Sequence, residues 1–328
     1  MTLTTIFRRS PATPSAAELP AVAGHHGGLL PLSRLRVEAQ GPVDGPVIVV
    51  LGGISASAHV AAHAGDPTPG WWDAIVAPGG AIDTTRCRVV SLDWLTIPGH
   101  PVDARDQARA LGIALDHLGV ATVEAIVGAS YGGMVALAFA ALYPARAAQL
   151  IILSAAHESH PMATALRSIQ RGVVRLGIKS GRAHEAVALA RALGITTYRT
   201  AEEFADRFGA APVRTAAGYR FPVEDYLEHG GTRFAIGCEA ERYVALSESI
   251  DLHRIDPSEI TTPTTLLAVE GDQLVPIWQV HELFGRLAGP GRVVEITSRY
   301  GHDAFLKEVS AVDALIRSAL SQGVRHAA

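Results

Sequence analysis

The amino-acid sequence predicts an open α/β sheet, mostly parallel and covered by helices on both faces, with a helical block inserted into it. Three observations carry that prediction. Apolar runs of about six residues alternate with helical patterns, the connections between them are short, and the alternation stops for about a hundred residues before it resumes.

The elements follow in order. PVIVVL (46 to 51) and CRVVSL (87 to 92) read as buried strands, and DQARALGIALDHLGV then carries its apolar residues at helical spacing. Another buried strand is expected at 123 to 127, and GGMVALAFAALYP reads as a helix apolar almost all round that stops at Pro144. AQLIILSAA (148 to 156) is the next strand. From there to about residue 258 the chain is arginine-rich and helical, with no convincing strand run. The pattern resumes with a strand in TTPTTLLAVEGD, a helix in IWQVHELFGRLAG, a strand in GRVVEIT and a closing helix in FLKEVSAVDALIRSAL. The expected organisation is a flexible N-terminal arm over 1 to 30, a core over 31 to 156 and 259 to 328, and a helical lid over 157 to 258.

Composition narrows the function. With 328 residues, 48% of them hydrophobic and 18% charged, the chain can bury a large core and is not a disordered one. A net charge of -4 offers no basic surface for phosphate backbones, so a small-molecule partner is expected in place of nucleic acid. Cys87 and Cys238 stand in unrelated contexts and read as free thiols in a reducing compartment, with no disulfide framework or zinc site. No stretch approaches the roughly 20 apolar residues of a membrane span, and the N-terminus lacks the apolar run of a signal peptide. A cytoplasmic protein with no membrane partner is expected.

The stretch GASYGG, residues 128 to 133, puts a serine between glycines where a buried strand meets a buried helix. Such a turn holds the serine hydroxyl out at the carboxyl edge of the sheet, beside a helix N-terminus that favours negative charge. Glycine-serine turns also occur without chemistry, so the partners decide. A serine needs a base, and the base needs a carboxylate to orient it. Asp272 follows the strand LLAV and His302 follows the strand VVEIT, both in loops at strand carboxyl ends. The chain order Ser, Asp, His is the one this architecture uses. Ser130, Asp272 and His302 are therefore the expected catalytic residues.

Acyl transfer also needs donors for a tetrahedral oxyanion. The backbone N–H of Tyr131, after the serine, is one candidate. A second is the N–H of Ile54, in the loop LGGISASAHV, where Gly52 and Gly53 let the backbone turn in. A plain glycine turn is the alternative there. His157 and His160, in HESH, have neither a metal-binding spacing nor a third ligand, and read as capping or surface residues; no metal is expected. His25 and His26 fall in the arm, and His117 at a helix end.

The combination of GASYGGM, TYRTAEEFADRFG, FPVEDYLEHGGTRF, GCEAERYVALSESIDLHRID and GHDAFL resembles the homoserine O-acyltransferases of methionine biosynthesis, over residues 45 to 320. The resemblance implies the α/β-hydrolase fold and transfer of an acetyl or succinyl group from acyl-coenzyme A, a co-substrate, to Ser130 and then to the hydroxyl of L-homoserine. It implies substrate contacts from Arg199 and Asp303, a homodimer, and no bound cofactor. A guanidinium suits the α-carboxylate of an amino acid and a carboxylate suits its ammonium. A salt bridge on the lid is the other reading of Arg199. Two departures bear on specificity. Tyr131 replaces the family's usual methionine, and DWLTIPGHP replaces a longer glycine- and serine-rich loop.

A triad by itself does not choose between water and an alcohol as acceptor. A lid that excludes water and orients a hydroxyl gains effective molarities of roughly 10⁵ to 10⁸ M. The lid offers Arg167, Arg171, Arg175 and Arg199 to anionic groups, which favours transfer from coenzyme A thioesters. A serine O-acyltransferase and an esterase or thioesterase with the same triad are the other enzymatic readings. A non-catalytic binding protein is the reading from a different class.

Overall fold

The computed structural model describes residues 19–326 apart from positions 34 and 217. Its centre is a seven-stranded sheet built from β1 (Val37–Gln40), β2 (Val47–Leu51), β3 (Arg88–Leu92), β4 (Ala125–Ala129), β5 (Leu150–Leu153), β6 (Thr264–Glu270) and β7 (Gly291–Thr297). The strand order is β7-β6-β5-β4-β2-β3-β1, with β1 antiparallel to β3 and every other pairing parallel.

Side chains that alternate along the strands build two cores. In β2, Val49 and Leu51 face the cluster that holds α1 (Ala104–His117) and α2 (Tyr131–Leu142), while Ile48 and Val50 face the opposite cluster. The same division runs through β5 and β6, where Leu150, Ile152, Leu266 and Ala268 lie on the first side, and Ile151, Leu153, Leu267 and Val269 on the second. Strands buried on both faces read as continuous apolar runs, which is why they were visible in the sequence. The α2 helix is buried from Tyr131 to Ala140, so it too is apolar all round.

The inserted block consists of α3 (Pro161–Lys179), α4 (Ala183–Tyr198), α5 (Ala201–Phe208), α6 (Pro222–Ala235) and α7 (Ala240–Asp251). It has a small core of its own around Val174, Val187, Ala190, Ala235 and Ala240. One strand pair was missed there: Val213–Thr215 pairs antiparallel with Gly218–Arg220. With three residues per strand, none of them buried, the pair covers no face and carries no alternation to read.

After the lid come α8 (Ile277–Arg286), α9 (Ala304–Lys307) and α10 (Val309–His326). The single closing helix expected from the sequence is thus interrupted at Glu308, whose carboxylate accepts from Ser298 Oγ at 2.7 Å.

Residues 1–18 of the expected arm lie outside the described residues. Residues 19–30 are docked: Leu19 and Leu30 are buried, and Val22–Ala23 pairs with Leu29–Leu30. His25 lies 2.6 Å from Asp103, the N-cap of α1, and its backbone N–H donates to Asp106. These partners are distant in sequence, so composition alone read the segment as loose.

No helix among the described residues is long and apolar enough to cross a membrane. Cys87 and Cys238 are free thiols.

Candidate active site

The site grows from the turn between β4 and α2. Ser130 adopts φ 53° and ψ −119°, a conformation that non-glycine residues seldom hold and that costs on the order of 1–3 kcal/mol. The neighbouring glycines make room for it. A Cβ on Gly128 would lie 2.4 Å from the Gly132 carbonyl oxygen, and one on Gly132 would lie 2.2 Å from the Leu51 carbonyl oxygen. Any side chain at either position would drive the turn off the sheet.

Ser130 Oγ stands 2.8 Å from His302 Nε2, and His302 Nδ1 stands 2.7 Å from Asp272 Oδ2. The other carboxylate oxygen of Asp272 accepts from the backbone N–H groups of Leu274 and Val275, at 2.8 and 2.9 Å. Those bonds fix the carboxylate while the imidazole is held in turn by it. Both Asp272 and His302 are buried. Burial pushes the His302 pKa down, but the Asp272 charge and hydrogen bond push it up further, and the net direction is upward. The structure thus brings together the three side chains singled out in the sequence, in hydrogen-bond order. Such a relay can remove the serine proton as the hydroxyl attacks a carbonyl and return it to a leaving group.

The loop carrying Ile54 is drawn onto the serine. Gly52 O accepts from Gly132 N at 2.9 Å, and Gly53 O accepts from Trp94 Nε1 at 2.9 Å. A Cβ on Gly53 would lie 3.9 Å from Ser130 Cβ. Ile54 lines the same cavity as Ser130 and His302. Tyr131 is the first residue of α2, where an amide has no acceptor within its own helix.

That cavity has a volume of about 1680 Å³ and lies between the sheet edge and the lid. The DWLTIPGHP loop walls it through Trp94, Leu95 and Thr96, as expected of a loop facing the pocket. Tyr131 points away from it: its hydroxyl is 2.5 Å from Ser249 Oγ on α7, and its ring meets Trp94 edge-on.

Of the two substrate contacts expected from the resemblance, Asp303 lines the cavity and Arg199 does not. The two are joined to each other: Arg199 Nε lies 3.0 Å from Asp303 Oδ2, and Arg199 Nη1 donates to both oxygens of buried Glu203 at 3.2 Å. Among the four lid arginines named above, Arg167 and Arg175 reach the wall, while Arg171 and Arg199 stand behind it. His160 caps α3 by accepting from Met162 N, and His157 is buried.

Several wall residues were not found from sequence. Arg191 lies between the rings of Tyr198 and Phe234, and Tyr198 stacks on His302 at 6.2 Å. Arg242 Nη1 donates to Trp94 O and Thr96 Oγ1, fastening α7 to the core. The spacing of Arg199 and Glu203, four residues apart on the lid, was a readable signal for an ion pair. Nothing local marked Arg191 or Arg242.

Comparison with known proteins agrees with this architecture. A family model described as α/β hydrolase fold matches residues 46–309. The chain is 42% identical to a homoserine O-succinyltransferase of Xanthomonas campestris pv. campestris, over 97% of this chain and 89% of that protein. It is 32% identical to a homoserine O-acetyltransferase of Thermobifida fusca, over 90% of each. The crystal structure of a homoserine O-acetyltransferase from Bacillus anthracis superposes with a TM-score of 0.83 at 19% identity, covering 92% of this chain and 95% of that one, a likeness of fold.

Proposed function

Since the chain belongs to the homoserine O-acyltransferase family of the α/β-hydrolase fold, we propose that it moves an acetyl or succinyl group from acyl-coenzyme A to the hydroxyl of L-homoserine, within methionine biosynthesis. The observation that carries the reading is the Ser130–His302–Asp272 relay opening on a cavity covered by the lid.

In the first half-reaction Ser130 Oγ attacks the thioester carbonyl carbon while His302 Nε2 takes the hydroxyl proton. The oxyanion is met by the N–H groups of Tyr131 and Ile54. The carbon–sulfur bond then breaks, and His302 returns the proton to the departing thiolate. In the second half-reaction His302 takes the proton of the homoserine hydroxyl, whose oxygen attacks the acyl-serine carbonyl. The bond to Ser130 Oγ breaks and the serine recovers its proton. Asp272 holds the imidazole in the tautomer that both halves need and steadies its charged form.

Asp303, on the cavity wall beside His302, holds the acceptor's ammonium, and Arg199 steers that carboxylate from behind. For Arg199 to touch the acceptor's carboxylate directly, it must leave Glu203 or Asp303. Neither a metal nor a bound cofactor is needed for this chemistry. A cytoplasmic setting suits the two free thiols. The homodimer contact belongs on α3, where Met162, Ile169 and Leu176 recur every seven residues with 61%, 57% and 68% of their surface exposed.

The reading is tested by free-thiol release from acetyl- and succinyl-coenzyme A, each with and without L-homoserine and with L-serine as a comparison acceptor. Homoserine-dependent release is expected. Equal release without any amino acid would make the protein a thioesterase.

A further inference from the structure

Two arginines share one carboxylate in the lid. Arg167 Nε donates to Asp251 Oδ1 at 2.8 Å, and Arg171 Nη1, one turn further along α3, donates to Asp251 Oδ2 at 2.5 Å. Their side chains are only 12% and 10% exposed, and that of Asp251 only 9%. The carboxylate also accepts from Thr164 Oγ1 at 2.8 Å, so its capacity is filled. One positive charge is left over, largely out of water, where an uncompensated charge is costly.

The surplus faces the cavity. Arg167 lines it and Arg171 is turned away, donating to Ser247 O and Ser247 Oγ. Arg167 Nη2 is occupied by Asp251 and Ser159, whereas Nη1 has no hydrogen-bond partner among the described residues. Of the other acids on the wall, Glu158 is engaged with Arg254 at 3.3 Å, Glu248 with Arg175 at 4.0 Å, Asp303 with Arg199 at 3.0 Å and Asp93 with the Ala58 N–H at 2.6 Å, and neither these nor Glu239 and Glu241 form an ion pair with Arg167 among the described residues. The Arg167 charge is also felt at His302, which puts it within electrostatic reach of the reacting centre.

The remaining arginines on the wall are less suited to receive an anion there. Arg242 is spent on the Trp94 and Thr96 loop. Arg175 is half-exposed and screened by water. Arg191 has the negative faces of two rings to answer its charge.

We propose that Arg167, held in place by Asp251, is the receptor for the distal carboxylate of a dicarboxylic acyl group, so that the donor is a succinyl thioester in preference to an acetyl one. The inference rests on the acyltransferase reading above. A succinyl group carries its carboxylate two methylenes beyond the carbonyl that Ser130 attacks, and that carboxylate offsets the surplus charge through a charge-assisted hydrogen bond. An acetyl group has nothing to offer it.

The test is homoserine-dependent thiol release by the full chain, with kcat/KM measured for both donors in wild type, Arg167→Gln, Arg167→Lys and Arg191→Ala. Wild type is expected to prefer the succinyl donor. In Arg167→Gln the succinyl-to-acetyl ratio of kcat/KM falls roughly 10- to 100-fold, the worth of one hydrogen bond to a charged group. Arg167→Lys keeps the charge and falls between, so it decides the matter if the glutamine variant folds poorly. An unchanged ratio overturns the proposal, as does a wild type that prefers acetyl or a ratio that collapses only in Arg191→Ala. Equal loss on both donors with a raised homoserine KM would assign Arg167 to the acceptor's carboxylate. Equal loss with a raised KM for both thioesters would assign it to the coenzyme's phosphates. Both results overturn the proposal while leaving the acyltransferase reading intact. No homoserine-dependent release from either donor in wild type sinks that reading and the proposal with it.

Discussion

The hydroxyl of Tyr131 lies 2.5 Å from Ser249 Oγ, joining the residue after the elbow serine to the last turn of lid helix α7. Both groups are buried, so neither can exchange its partner for water. Replacing Tyr131 by phenylalanine keeps the edge-on contact with Trp94 but leaves the Ser249 hydroxyl unpaired. The expected cost is about 1–3 kcal/mol of stability, read from urea unfolding midpoints. Because the bond ties lid to core, thiol release without acceptor is expected to rise as water gains entry. A variant with wild-type stability and no added hydrolysis would show that the bond does not hold the lid down.

The relay makes a sharper demand on Asp272. Its Oδ1 is fixed by two backbone N–H groups, so an asparagine can keep the position while losing the charge and the preference for the Nδ1–H tautomer. Asp272→Asn is expected to lower kcat by roughly 10⁴-fold, and Ser130→Ala to reduce turnover by at least as much. Unchanged thermal midpoints in both variants would separate chemistry from folding. Residual activity within tenfold of wild type in either one would remove that residue from the mechanism.

The pH profile follows from the same contact. Burial lowers the His302 pKa, the Asp272 charge and hydrogen bond together with the Asp303 charge raise it, and the result lies above the ordinary 6.5. Only the neutral imidazole can accept the Ser130 proton, so kcat/KM is expected to fall as pH drops through a value above 6.5. Asp272→Asn removes the larger part of the upward pull and leaves burial against the Asp303 charge alone, which moves that limb to lower pH. The linkage to stability has the opposite sense. The charged His302–Asp272 pair stabilises the fold fully below pH 6.5, and its contribution disappears as pH rises through the raised value. A limb that stays put in the asparagine variant would assign it to another group.

Much of this was legible in sequence for identifiable reasons. The strands are buried on both faces, so Val47–Leu51 and Leu150–Leu153 stand out as apolar runs without any alternation to decode. The elbow is legible because a Cβ at Gly128 or Gly132 would come within 2.5 Å of a backbone oxygen, and a steric requirement leaves a residue type behind. Asp272 and His302 each follow a strand, so topology carries them to the edge where Ser130 sits. What escaped was set by tertiary geometry between segments far apart. Arg171 and Arg199 have the same residue type as Arg167, yet they stand behind the wall because Ser247, Glu203 and Asp303 hold them there. No local pattern distinguishes an arginine that lines a cavity from one that braces it.

His253 supplies a final prediction, about stability and not catalysis. It is fully enclosed behind the lid, with one ring nitrogen 3.1 Å from Ala156 O and the other, Nδ1, without a partner. That environment suits the neutral ring, whose Nε2–H donates to the carbonyl. Burial lowers its pKa to about 4, against an upward pull from the hydrogen bond to the Ala156 carbonyl. In the unfolded chain the imidazole titrates near 6.5. Between pH 6.5 and 4 the unfolded state therefore binds a proton that the folded state refuses, and stability falls as pH falls across that window. The full effect is on the order of 3 kcal/mol. His302, whose pKa is raised, acts above this window and leaves it flat, while His157, whose pKa burial also lowers, works with the trend. His253→Gln cannot titrate, so its urea midpoint is expected to decline less than that of wild type between pH 7 and 4.5. The comparison between the two chains cancels the carboxylates common to both. Parallel declines would mean that His253 takes up its proton inside the folded protein, and that the cavity around Nδ1 admits water.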